Sequence, residues 1–360
     1  MTSPIDPTNQ SLPHAPLDVV GAVPVDLAGR LVGIGRDGVV HSFRFHRGRV
    51  AYAAHDLHMD AAALDLVAFE GSVLVHADDS SVSQLSADLR TLRRVDLAGH
   101  RRPVVSRPRY DPSSGELHLV ARDASGAQLH VVVPAGALTR RSRPILEARA
   151  RALDLAIGSD HLVVIADGVI GVAPRDGEMR TTWTLTDAAA PLPIHTHRVG
   201  DAIVLLALTP SLEQWTLDPD GSGIEREVLD ATPRRCAHVG GHGADGAPRW
   251  AWTSGDESIA LHDLVESRHV HLDLRPGQPD DFVVAHEGHP DRIDRGWLIG
   301  LVHDQSAMST DLRVRATNDI TSVAAVVRVP RPIPRGLHCT WMPAPSNDPS
   351  PTPSPREDQP

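Results

Sequence analysis

Short strand-like runs follow one another along almost the whole chain, and no long amphipathic helix interrupts them. VVHSFRFH (39–46), GSVLVHA (71–77), ELHLVARD (116–123), HLVVIAD (161–167), AIVLLAL (202–208), RHVHLDL (268–274) and GWLIGLVHD (296–304) are rich in apolar and β-branched residues. Many of the runs alternate apolar and polar positions, the period of a half-buried strand. Turn chemistry separates them: Arg36-Asp37-Gly38, Pro112-Ser113-Ser114-Gly115, Asp123-Ala124-Ser125-Gly126, Asp218-Pro219-Asp220-Gly221 and Pro276-Gly277. Only the stretch around Ile145–Leu153 has room for one or two helical turns.

Roughly twenty such strands spaced by tight turns fit four-stranded blades around an axis. At about 40–50 residues per blade, a chain of 360 residues makes about seven. A sandwich of this length would need two domains and a linker, and no linker is visible. No Gly-His…Trp-Asp pattern marks the WD-repeat class. The expectation is an all-β, seven-bladed β-propeller over residues 17–343. Residues 1–16 and 344–360 are rich in Pro, Ser, Asp and Asn, and are expected to be disordered tails.

The net charge is -11 and no concentrated basic surface is apparent, so nucleic acid is not an expected partner. No run approaches the roughly 18 apolar residues needed to span a bilayer. The polar start of the chain lacks the basic and apolar regions of a signal peptide, and a soluble, cytoplasmic protein is expected. Cys236 and Cys339 form no CxxC pair, which excludes a local thiolate zinc motif. No nucleophile elbow, phosphate-binding glycine loop or HExxH helix is present. Gly240-Gly241-His242-Gly243 precedes a strand and reads as a blade turn.

Five blocks, in order, resemble the carotenoid cleavage oxygenase family. They are Gly21-Ala22-Val23-Pro24 through Gly29; Asp37-Gly38-Val39-Val40-His41; Pro108-Arg109-Tyr110-Asp111-Pro112 with Gly115-Glu116-Leu117; Gly296-Trp297-Leu298 through Asp304; and Pro334-Arg335-Gly336-Leu337-His338-Cys339-Thr340-Trp341. The resemblance implies a seven-bladed propeller with Fe(II) on its axis, held by four histidines from four blades, and oxidative cleavage of a conjugated double bond. Neutral imidazoles suit Fe(II), and open coordination positions admit dioxygen. The chain is shorter than members of the family usually are, which implies a reduced helical or loop dome over the propeller.

Carried over residue by residue, the resemblance places the fourth ligand at His338 and the third at His195, with His197 on the same strand face as the competing choice. The first ligand position is occupied by Arg107 and the second by Leu153. Leucine has no lone pair, and a guanidinium stays protonated. A fixed positive charge about 4 Å from the metal costs about 4 kcal/mol per charge unit at an effective dielectric near 20. The glutamates that orient ligand histidines in the family are replaced, with Asp78, Asp201 and Asp230 nearest their places. An arginine–carboxylate cluster involving Arg107 and these aspartates is therefore expected where part of the metal site would be. His269 and His271 share a strand face and read as exposed on an edge strand. Aromatic residues make up only 3% of the chain, few for lining a tunnel around a long apolar ligand. The expected function is that of a degenerate, weakly catalytic or non-catalytic relative of the alkene-cleaving Fe(II) dioxygenases, with Fe(II) as cofactor if active. The alternative is a non-enzymatic propeller that binds a small apolar alkene or apocarotenoid, or a protein partner.

Overall fold

The computed structural model describes residues 15–344, apart from 87–88, 91, 100–101, 137–139, 147–151, 176, 178–180, 186–189, 219, 243–245 and 287–295. The expected tails lie almost wholly outside the described residues. The described strands form seven antiparallel sheets, five with four strands and two with five. These are the blades, numbered here in chain order.

The innermost strands of blades two to seven are Ala63–Phe69, Arg109–Asp111, Ala152–Ile157, Leu192–Val199, Cys236–His242 and Gly277–His286. The innermost strand of blade one is His338–Pro343, from the other end of the chain. It pairs antiparallel with Gly29–Ile34, from Gly29 opposite Pro343 to Ile34 opposite His338. Each innermost strand touches the next around a closed ring. The N-terminal segment crosses the same seam on the outside, where Val19–Gly21 pairs with Ala325–Arg328 of blade seven. Hydrogen bonds between distant parts of the chain thus close the ring, leaving no open edge at the seam.

Burial follows strand order. Ala202–Leu208, second in blade five, is buried at every position after the first. Arg268–Asp273, outermost in blade six, is almost entirely exposed, and it carries His269 and His271 as expected. A middle strand has a neighbouring blade on each face, so it reads as a continuous apolar run, whereas an outer strand does not. Among the described residues the core is accordingly divided into seven clusters, each between adjacent blades. Leu31, Phe43 and Phe45 of blade one meet Val283, Ile299 and Leu312 of blade seven. Val163, Ile165 and Trp183 of blade four meet Leu205 and Trp215 of blade five.

No helix occurs among the described residues. The helical turns expected near Ile145–Leu153 are not formed where the chain is described: Arg141–Leu146 and Ala152–Ile157 are strands. Ile145 is buried against Leu155 and Leu162 of the next blade, and that packing outweighs local propensity. Gly240, Gly241 and His242 belong to an inner strand rather than to a turn.

Candidate functional site

Four of the innermost strands carry the same irregularity. In blade two the register slips between Ala63 and Asp65, and in blade four between Ala152 and Asp154. In blade five it slips between Pro193 and His195, and in blade seven between Pro279 and Phe282. A bulge inserts an extra residue and re-aims the side chains that follow it. The extra residues in blades two, four and five are Leu64, Leu153 and Ile194. Asp65, Asp154 and Asp281 each turn a carboxylate oxygen back onto the following N–H, of Leu66, Leu155 and Phe282, at 2.8–3.0 Å. The bulge therefore directs an acidic group on three inner strands and His195 on a fourth.

Arg109, on the inner strand of blade three, reaches across to blade four. Its Nε and Nη2 donate to the two oxygens of Asp154 at 3.2 and 2.9 Å. Arg107 Nε lies 3.8 Å from the same carboxylate. The Asp154 side chain is only 6% exposed, against 31% for Arg109 and 37% for Arg107. Burial pushes the Asp154 carboxyl up, with Arg109 and Arg107 opposing it. Burial also works against the Arg109 cation, but Asp154 and Asp65 outweigh it and raise its pKa.

His338 sits at the start of the closing strand, and two adjacent carboxylates hold the backbone on either side of it. Asp280 accepts from the N–H of Gly336 at 3.0–3.1 Å and of Leu337 at 3.2 Å. Asp281 accepts from the N–H of Cys339 at 2.9 Å. Both aspartates belong to the bulge of blade seven. Burial lowers the pKa of the His338 imidazole, Asp65 and Asp280 pull it up, and Arg107 and Arg36 push it down.

His195 is engaged elsewhere. Its Nε2 donates to the carbonyl of Gly246 at 2.9 Å, and its ring stacks at 5.7 Å on that of His197. By register His195 occupies the place of Asp154 and Asp65, one residue beyond Leu153 and Leu64. The side chain of Leu153 lies outside the described residues.

The structure changes the expected carboxylate partners of Arg107. Asp78 and Asp201 are exposed, and neither forms an ion pair with Arg107 among the described residues. Asp230 is buried, but it binds Arg234 Nε and Nη2 at 2.9 and 2.6 Å. The partner of Arg107 is Asp154, because blades three and four are neighbours on the ring. The missed residues are Asp65, Arg109, Asp154, Asp280 and Asp281. The signal for Asp65 and Asp154 was the repeated Ala-Leu-Asp-Leu of 63–66 and 152–155, placed at equivalent bulges.

Comparison with known proteins agrees with this architecture. Residues 201–343 match the family model described as retinal pigment epithelial membrane protein. The apocarotenoid oxygenase of Synechocystis, in a single-residue variant, is similar in structure with a TM-score of 0.77 and 16% identity, over 94% of this chain and 97% of that one. Its cobalt-substituted form gives 0.79 and 14% over the same shares. The lignostilbene dioxygenase of Pseudomonas brassicacearum gives 0.79 and 13%, over 94% and 96%. No curated protein sequence matches the chain. The fold is a seven-bladed propeller of the kind those oxygenases share. The family-model match covers the C-terminal part of the chain, and the likeness in fold covers nearly all of it.

Proposed function

We propose that this chain is a degenerate member of its family, in which an arginine–carboxylate network stands in place of part of a four-histidine iron centre and oxidative alkene cleavage is weak or lost. The observation that carries this reading is the shared carboxylate of Asp154, bound in two-pronged fashion by Arg109 and approached by Arg107.

An Fe(II) ion needs neutral or anionic donors with free lone pairs. Arg107 offers a permanent cation, and Leu153 has no lone pair. The Nε2 of His195 is committed to the Gly246 carbonyl. Among the described residues, neither His195 nor His338 belongs to a group of three or more closely spaced ligand atoms. Burial favours the neutral imidazole of His338. These donors do not fit a four-histidine ion.

A propeller without the oxidative step retains a role in binding. The similar structures include an apocarotenoid oxygenase and a lignostilbene dioxygenase, so small apolar alkenes of those classes are the first ligands to try. Oxygen uptake by the Fe(II)-supplemented chain with a panel of stilbenes and apocarotenoids tests the reading. The expected rate is equal to, or only slightly above, that of Fe(II) and substrate without protein. Sustained turnover with aldehyde products would overturn it.

A further inference from the structure

We infer that Cys236, His238 and Asp281 form a binding site for a zinc(II)-class metal ion, on the inner strands of blades six and seven and built from residues other than the four-histidine positions.

Cys236 and His238 are two residues apart on one strand, so both project from the same face. Asp281 comes from the bulge on the neighbouring inner strand. One ligand atom from each lies within 4.8 Å of the others. Cys236 Sγ is 2.7 Å from Asp281 Oδ1. All three residues are of intermediate exposure.

The orientation of the set is already fixed. Asp281 Oδ2 accepts from the Cys339 N–H at 2.9 Å, and Oδ1 from the Phe282 N–H at 3.0 Å. The His238 ring packs on Phe282, with centroids 4.9 Å apart. Such outer contacts hold ligands in place before the metal arrives. A thiolate, an imidazole and a carboxylate are the donor types of zinc sites, and three protein ligands leave a fourth position for water. The thiolate and imidazole disfavour calcium and magnesium, which take oxygen donors. Two anionic donors balance the charge of a divalent ion. Binding replaces the Cys236 S–H bond with a metal–sulfur bond and releases that proton to solvent. The local sequence hides the site, because its ligands come from two blades and no CxxC pair announces them.

The test is titration of the full-length chain with Co(II), read by absorption, followed by displacement with Zn(II). One Co(II) per chain is expected, with a sulfur-to-cobalt charge-transfer band that Zn(II) abolishes. Cys236→Ser should remove the band, and Asp281→Asn and His238→Gln should weaken Co(II) binding at least tenfold. Cys339→Ser, His195→Ala and His338→Ala should keep it. Thermal unfolding of each variant checks that it is folded, and His238→Gln serves if Cys236→Ser is not. Absence of the band in the folded wild-type chain, or its survival in folded Cys236→Ser, would overturn the assignment. So would its loss in His338→Ala with Cys236→Ser unaffected.

Discussion

Arg109 and Asp154 join the inner strands of blades three and four through a two-pronged ion pair, with contacts of 3.2 and 2.9 Å. Arg109 Nη2 also lies 3.5 Å from the carbonyl of Pro193, at the outer limit of a hydrogen bond, so one guanidinium touches three consecutive blades. Removing one partner of a buried pair leaves the other charge uncompensated, typically at about 3–5 kcal/mol. Arg109 is 31% exposed, so water recovers part of that cost. Asp154→Asn should therefore destabilise the chain by about 2–3 kcal/mol in urea unfolding. Arg109→Met combined with Asp154→Leu should cost less than the single change. A double variant worse than Asp154→Asn would show that the pair itself contributes to stability.

Asp280 anchors the closing strand by accepting the N–H groups of Gly336 and Leu337, and it lies 3.3 Å from His303 Nε2. Hydrogen bonds to a charged group contribute about 1.5–3 kcal/mol each at most. Asp280→Ala should lower stability by about 2–4 kcal/mol. It should also speed hydrogen exchange at Gly336–Leu337 more than in blades three to five. Uniform exchange across all blades would argue against a local anchor.

Several buried histidines make the fold sensitive to mild acid. Burial brings the pKa of His41, His118 and His262 down to about 4, and that of His130 to about 2. The unfolded chain takes up these protons near pH 6.5, and the folded chain resists until the lower values. The unfolded state thus binds more protons in between, and stability falls as pH drops from about 6.5 toward 4. The urea midpoint at pH 5 should lie below that at pH 7.5. His41→Gln, which keeps a polar partner for the Tyr52 hydroxyl, should flatten the dependence. A midpoint that does not change over this range would contradict the assignment of these groups as buried and neutral.

The fold was legible because burial in a propeller follows strand order. The alternating run 268–273 and the continuous run 202–208 carry that order in their residues. The closing strand was legible only as a motif, since nothing local to Gly336–Trp341 says that it pairs with Gly29–Ile34. The contacts made around the expected site positions were not legible. Asp78, Asp201 and Asp230 were chosen by nearness to motif positions. Asp78 and Asp201 face solvent, and Asp230 pairs with Arg234 four residues on. Asp154 binds Arg109 because the ring makes blades three and four neighbours, and a bulge aims the carboxylate. Ring adjacency and bulges are long-range features, and periodicity in one sequence does not encode them.

Iron analysis of the purified chain shows whether the axial positions hold a metal. The chain is reconstituted with Fe(II) without oxygen, desalted and measured by elemental analysis, beside the variant Arg107→His with Leu153→His. Iron far below one per chain is expected in the wild type, rising in the double variant as two imidazoles replace a cation and an alkyl group. One tightly held iron per wild-type chain, lost in His338→Ala, would contradict that expectation.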